Sequence, residues 1–187
     1  MEVIDEHTTY RLLTSIGRTA AGPDGLTSWF LGTTATAITK PVAYLYGVSI
    51  LSSYVPPQWK TSTITPVTKV TRPTKPADYR PISVTPILCR LLEKFIVRRF
   101  FHPFLLDPEL NQEFADQYAF RPTGSTTAAI SALLTDLMEL LRENTFVHLI
   151  ALDFTKAFDT VRHSSLAEQL AEMPMSDCVY NWFIAFL

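Results

Sequence analysis

A short, nearly uninterrupted apolar run that ends at an aspartate constrains the fold of this 187-residue chain more than any other feature. Residues 145–152 (TFVHLIAL) are rich in β-branched and aromatic side chains, and Asp153 follows directly. A run of this length and composition predicts a buried strand rather than a helix. The strand would end at Asp153, whose carboxylate would either bind a metal ion or cap the turn that follows.

Apolar periodicity predicts helices on both sides of this run. One amphipathic helix begins after Pro86 and stops at Pro103, and a second follows the capping residues 123–126. Further helices are predicted over the ranges 27–53 (bent near Pro41), 163–172 and 179–187, the last with Ser176 as its cap.

Residues 60–69 lie between the predicted helix over 27–53 and the helix that begins after Pro86. They are rich in Thr and Ile and predict a short strand. Pro66 indicates either a sheet edge or irregular pairing, and residues 70–79 are predicted to form a loop. The tryptophans Trp29, Trp59 and Trp182 are interpreted as core anchors.

The charge is unevenly distributed along the chain. The formal net charge is −2, but residues 60–100 carry nine basic and two acidic side chains, a local charge of +7. The block is either a phosphate-binding surface or a solvated helix face with a basic loop, and charge alone does not separate the two.

Several functional classes are excluded or disfavoured by composition. No apolar run is long enough to span a bilayer, and the polar, acidic start MEVIDEHTTY is not a signal peptide. Cys89 and Cys178 lack metal-ligand spacing, so we interpret them as free or buried thiols. An intracellular protein with no membrane association is expected, in the nucleus or the cytoplasm.

A series of motifs, in order along the chain, resembles the reverse transcriptase domain of non-LTR retrotransposons. Residues 151–159 (ALDFTKAFD) resemble motif A of that family. The upstream motifs are the GPDG turn at 22–25, the finger strand that follows Trp59, the YRPIS segment at 79–83, the LEK at 92–94 and the QYAFRPTGST segment at 117–126.

The resemblance implies a magnesium site and a nucleotide site. Asp153, joined by the backbone carbonyl of Phe154, would bind catalytic Mg²⁺. Lys69 and Arg80 would clamp the incoming triphosphate, since Arg offers a planar fork and Lys a compact charge. Phe158 would lie under the incoming sugar and exclude a 2′-hydroxyl.

The remaining implied roles are less direct. Arg121 and Gly124 belong to the segment that lies near template contacts in the family, although Arg121 could equally pack locally. Asp159 is expected to make a structural hydrogen bond. Ala119 departs from the family pattern, because a glycine is usual there.

The resemblance also implies an α+β fold, that of a right-hand polymerase: fingers and a helical part over residues 1–143, and the start of a palm with an incomplete sheet over 144–187. The paired-aspartate motif of the family is missing, so the chain is expected to be truncated, with an incomplete Mg²⁺ site and little activity alone. The full protein would copy an RNA template from a DNA primer with deoxynucleoside triphosphates. The alternatives are a noncatalytic nucleic-acid-binding remnant and a nonfunctional relic. The oligomeric state is unknown from sequence.

Overall fold

The computed structural model describes residues 4–107, 116–154 and 157–187, apart from the side chains of residues 158 and 159. The helices are α1 (Glu6–Thr14), α2 (Ser28–Thr33), α3 (Ala35–Leu51), α4 (Ile87–Ile96), α5 (His102–Leu106), α6 (Thr126–Glu143), α7 (Ala157–Thr160), α8 (His163–Ala171) and α9 (Asp177–Phe186). The strands are β1 (Thr63–Thr68) and β2 (Tyr79–Val84), and they pair with each other in a small antiparallel sheet. The fold is therefore a mixture of helix and strand, and the chain divides into two compact units.

The first unit comprises Met1–Val97 and Met175–Leu187, so its two segments are far apart in sequence. Helices α1, α3, α4 and α9 supply its core. The fully buried apolar side chains include Leu13, Tyr46, Ile50, Leu92, Ile96, Val179 and Trp182. Burial of such side chains contributes about 1.5–3 kcal/mol each and holds the unit together.

A chain of polar groups ties α9 to α3 inside this core. The Trp182 Nε1–H donates to Ser49 Oγ at 2.9 Å, and the Ser49 hydroxyl donates to the carbonyl of Tyr54 at 2.7 Å. Trp59 packs edge-on against Tyr46, with ring centroids 5.9 Å apart. The interpretation of Trp59 and Trp182 as core anchors is therefore confirmed.

Two details of the amino-terminal region differ from the sequence prediction. The predicted helix over 27–53 is interrupted at Thr34, whose hydroxyl and amide both donate to the Phe30 carbonyl, while Pro41 lies inside α3. Trp29 is wrong as a core anchor, because it is 75% exposed. Leu31, 2% exposed, takes the buried position of α2 instead.

The second unit comprises Arg98–Pro174. A π-helical turn (Val97–Phe101) follows α4, and α5 continues past Pro103, so the prediction that Pro103 stops the helix is wrong. Proline is tolerated there because it lies in the first turn of α5, where its missing N–H has no intrahelical partner to lose. Helix α6 begins at Thr126 and is capped, as predicted, by Ser125, whose Oγ accepts from the Ala128 amide at 3.0 Å.

The predicted buried strand over 145–152 is also wrong. The segment has no regular secondary structure, and Ile150 and Leu152 are 80% and 88% exposed. A strand requires a hydrogen-bonded neighbour, and within the described ranges β1 and β2 pair only with each other. The segment therefore has the composition of a strand without a partner to complete it.

No helix within the described ranges is both long and apolar enough to cross a bilayer. Cys89 and Cys178 are free thiols, as predicted.

Candidate nucleotide and metal site

Lys69 and Arg80 lie close together on the β1–β2 hairpin of the first unit. Arg80 is opposite Val67 in the register, and the Lys69 amide continues the ladder by donating to the Asp78 carbonyl at 2.7 Å. Lys69 lies one residue past β1 and two positions from Val67. Because positions two apart on an extended segment share a face, Lys69 and Arg80 are diagonal neighbours on one face of the hairpin. Both side chains are exposed.

The loop that joins the two strands is held by Asp78. Its Oδ2 accepts from the amides of Thr74 at 2.9 Å and Lys75 at 3.1 Å. The Lys69 Nζ donates to the Ala77 carbonyl at 3.0 Å, so the ammonium group of Lys69 lies against the same loop. The amide of Thr74 is the main reason that the pKa of the Asp78 carboxyl is lowered from its usual value of 3.8.

Asp153 and Phe154 lie in the irregular segment of the second unit. The Asp153 side chain is exposed, and the neighbouring Phe154 is 83% exposed. Among the described residues, no hydrogen bond or ion pair engages the Asp153 carboxylate. A free carboxylate in contact with solvent is chemically suited to ligate Mg²⁺.

The described residues do not complete a magnesium site. Outside the gaps at 108–115 and 155–156, no cluster of three or more His, Cys, Asp or Glu side chains could hold a metal ion. Asp153 and the Phe154 carbonyl would supply two oxygen ligands, and hard cations of this kind take about six. The side chains of Phe158 and Asp159 lie outside the described residues, so their predicted roles stay predictions.

Each predicted pair is placed within its own unit. Lys69 lies beside Arg80 in the first unit, and Asp153 lies beside Phe154 in the second. That the two pairs meet around one triphosphate stays a prediction, as does the boundary between fingers and palm near residue 143.

Arg121 and Gly124 have local contacts in the second unit. The Arg121 guanidinium donates to the Leu105 carbonyl at 3.2 Å, and a Cβ at Gly124 would collide with the backbone of Tyr118. Glycine is therefore required at 124 for close approach of two backbone segments. Ala119 does not adopt a positive φ; the neighbouring Phe120 does, at 60°. The Gly-to-Ala departure at 119 is therefore compatible with the local backbone.

Sequence reasoning missed the structural part played by Gly22 and Arg90. A Cβ at Gly22 would lie 2.6 Å from the Pro86 backbone. The Arg90 guanidinium donates from Nη1 to Thr19 Oγ1 at 2.7 Å and from Nη2 to the Ala20 carbonyl at 2.5 Å. These contacts fasten the GPDG loop to the start of α4. The GPDG motif was a signal for a turn, but nothing in the sequence indicated what the turn packs against.

Comparison with known proteins places the chain in a family. The profile of the reverse transcriptase (RNA-dependent DNA polymerase) family matches residues 67–187, well over half of the chain. The chain therefore belongs to the reverse transcriptase family.

The curated relatives come from retrotransposons. The chain is 28% identical, over 81% of its length, to a Retrovirus-related Pol polyprotein from type-1 retrotransposable element R2 of Bradysia coprophila, and 29% identical, over 90%, to its counterpart in Popillia japonica. It is 25% identical, over 71%, to a probable RNA-directed DNA polymerase from transposon BS of Drosophila melanogaster. The predicted resemblance to non-LTR retrotransposon enzymes is confirmed. The chain spans 16%, 22% and 14% of these three proteins, respectively.

Proposed function

We propose that the chain forms the fingers and the first part of the palm of a longer RNA-directed DNA polymerase. The observation that carries this proposal is the family match over 67–187, which includes every residue predicted to bind metal or nucleotide, from Lys69 to Phe158. The substrates would be an RNA template, a DNA primer and deoxynucleoside triphosphates, and the protein would be intracellular.

In this proposal the residues of the chain bind and orient rather than react. Lys69 and Arg80, on one face of the hairpin, neutralise and hold the triphosphate, and Phe158 excludes a 2′-hydroxyl. Asp153 and the Phe154 carbonyl contribute oxygen ligands to Mg²⁺, which when bound would offset the charge that develops on the phosphoryl oxygens. The remaining metal ligands would come from the paired-aspartate motif of the family, which this sequence lacks, so the 187-residue chain alone is expected to be inactive.

Primer extension tests the proposal. The chain is expressed together with the coding sequence that follows it in its genomic locus, and incorporation of deoxynucleotides on an RNA template is measured. Asp153→Asn should lower the rate about a hundredfold or more, because the uncharged amide stabilises a metal ion poorly. Asp136→Asn, a change of the same kind on the exposed surface of α6, is the matched control and should leave the rate unchanged. Equal rates for the Asp153→Asn variant and the wild type would reject the assignment of Asp153.

A second candidate function is binding of nucleic acid without catalysis. It is favoured by the charge of the first unit, in which residues 60–97 carry seven basic and two acidic side chains. Six of the seven basic side chains are exposed: Lys60, Lys69, Arg72, Lys75, Arg80 and Lys94. If this is the function, RNA binding should weaken steeply as salt is added. Polymerase activity of the extended protein would rule it out as the sole function.

A further inference from the structure

A small pocket lies between the end of α1 and one face of α4 in the first unit. Residues 15–19 form one wall, and Ile87, Arg90, Leu91 and Lys94 form the other. These four α4 residues are spaced three or four apart and therefore share a helix face. We call this feature the α1–α4 pocket.

The lining of the α1–α4 pocket is strongly cationic. It includes Arg18, Arg90 and Lys94 and contains no acidic side chain. Arg18 and Lys94 are exposed, and among the described residues neither has a hydrogen-bond or ion-pair partner. Glu93, three residues after Arg90 on α4 and outside the lining, interacts electrostatically with the Arg90 guanidinium and partly offsets its charge. Arg18 and Lys94 have no acidic neighbour in the lining, so an anion bound between them would reduce their mutual repulsion.

The floor and the volume of the pocket limit the size of that anion. Ile87 and Leu91, 2% and 6% exposed, form an apolar floor. Next to apolar surface the effective dielectric falls, which strengthens the attraction between cation and anion. The volume of about 200 Å³ is below the range of roughly 300–1,000 Å³ that is typical of pockets for whole small-molecule ligands. A single phosphate group suits it better than a nucleoside triphosphate.

The wall formed by residues 15–19 is already positioned for such a ligand. Arg90 fixes it to α4 through Thr19 Oγ1 and the Ala20 carbonyl. Since the Thr19 hydroxyl oxygen accepts from Arg90, its own proton is available to donate to a phosphate oxygen. Within the described part of the chain, the amides of Gly17, Arg18 and Thr19 make no backbone hydrogen bond. Hydrogen-bond donors of this kind, together with Arg and Lys side chains, are the groups that contact phosphates in nucleic-acid complexes.

We propose that the α1–α4 pocket binds a backbone phosphate of a single-stranded RNA, with Arg18 and Lys94 as the charged ligands and Arg90 as a positioning residue. The pocket is lined by residues 15–19, which precede β1, and by residues of α4, which follows β2, and it uses none of the residues assigned to the triphosphate. The proposal rests on the proposed function, because it takes RNA to be the source of the phosphate.

The first experiment measures RNA affinity as a function of salt. A labelled single-stranded RNA is titrated with the 187-residue chain over a range of KCl concentrations, and binding is followed by fluorescence anisotropy. Arg18→Gln/Lys94→Gln should reduce the slope of log K against log[salt] by about 0.7, because the one single-strand phosphate contact made by the pocket is lost. The control Arg11→Gln/Lys40→Gln removes the same two charges from exposed positions outside the pocket and should leave the slope unchanged. Arg18→Lys/Lys94→Arg keeps both charges and should retain the wild-type slope.

The second experiment detects the site without RNA. Inorganic phosphate is added to the ¹⁵N-labelled chain, and the Gly17 amide resonance is followed. We expect a saturable shift in the wild type that is lost in Arg18→Gln/Lys94→Gln and kept in the control. This readout reports on the pocket whether or not the chain binds RNA.

The outcomes separate the pocket from the proposed function. RNA binding with the same salt slope in the pocket variant and the control overturns the pocket and leaves the proposed function standing. A saturable Gly17 shift in a chain that does not bind RNA overturns RNA as the source of the phosphate and counts against the proposed function. Neither RNA binding nor a Gly17 shift overturns both.

Discussion

Gly22 shows how a single residue can serve a motif through packing alone. The amide of Gly25 donates to the Gly22 carbonyl at 3.0 Å, and Gly25 has a φ of 70°, which closes the turn. Gly22 itself is needed for a different reason, since its Cα lies against the backbone of Thr85 and Pro86. The turn and the start of α4 therefore depend on each other.

Gly22→Ala should destabilise the first unit by about 1–3 kcal/mol, because the new Cβ would lie 2.6 Å from Pro86 backbone atoms that cannot move aside cheaply. Gly47→Ala is the matched control. A Cβ at Gly47, inside α3, meets nothing within 4 Å, so this change should stabilise the unit by about 0.5–1 kcal/mol through helix propensity. Urea denaturation of both variants measures the difference, and equal stabilities would contradict the packing argument.

Gly124, like Gly22, is required because another backbone segment lies against its Cα. The motif resemblance grouped it with Arg121 as a nucleic-acid contact, but the close approach of its Cα to Tyr118 is sufficient to require glycine there. A conformational or packing need of this kind does not exclude a template contact. It does mean that loss of activity in a Gly124 variant would not by itself identify one.

The stability of the loop between β1 and β2 should depend on pH through the carboxyl group of Asp78. Its folded pKa is lowered, first by the Thr74 amide, so the hydrogen bonds contribute stability that is present above the unfolded value of 3.8. That contribution is lost as the pH falls through the lowered folded pKa. Hydrogen exchange of the Thr74 and Lys75 amides between pH 7 and pH 2 should show the loop loosening in acid.

Asp78→Asn is the control for this titration. The amide side chain carries no charge at any pH, so the acid-induced change at Thr74 and Lys75 should disappear. Because the Lys69 amide donates to the Asp78 carbonyl, the same acid transition should also be visible at Lys69. An identical acid transition in the wild type and in Asp78→Asn would show that another group controls the loop.

The elements that sequence could predict are those whose signal is local. Helices α4, α6 and α8 follow from apolar periodicity, and Ser125 caps α6 as its position suggested. The run over 145–152 could not be settled in this way, because a strand depends on a partner that a local pattern does not specify. Its exposure, together with that of Leu133 and Leu134 on α6 at 40% and 53%, leaves a large apolar surface in the second unit.

The candidate site residues were identified in a different way, and their roles stay predictions. Lys69, Arg80 and Asp153 were identified by motif position, and their exposure is compatible with ligand binding. The diagonal placement of Lys69 and Arg80 depends on the register of β1 and β2, which sequence alone did not fix. The local contacts of Arg121 could not be foreseen, since they depend on how the second unit packs.

The first unit is built from two segments that are far apart in sequence, Met1–Val97 and Met175–Leu187. Helix α9 contacts α3 through Trp182, and the Lys60 ammonium donates to the Ala185 carbonyl at 2.7 Å. Trp182 has no exposed surface. Residues 175–187 therefore contribute buried side chains to the same core as residues 4–97.

Trp182→Ala should destabilise the first unit by about 3–5 kcal/mol, because it leaves a large cavity and removes the hydrogen bond to Ser49. Asn181→Ala, at an exposed position one residue away on α9, should change stability by no more than about 0.5 kcal/mol. Hydrogen exchange locates the effect: amides of α3 should lose protection in Trp182→Ala, whereas those of α6, in the second unit, should not. If the α3 amides kept their protection in Trp182→Ala, the packing of α9 would not stabilise the core of the first unit. If α6 lost protection equally, the two units would unfold as one.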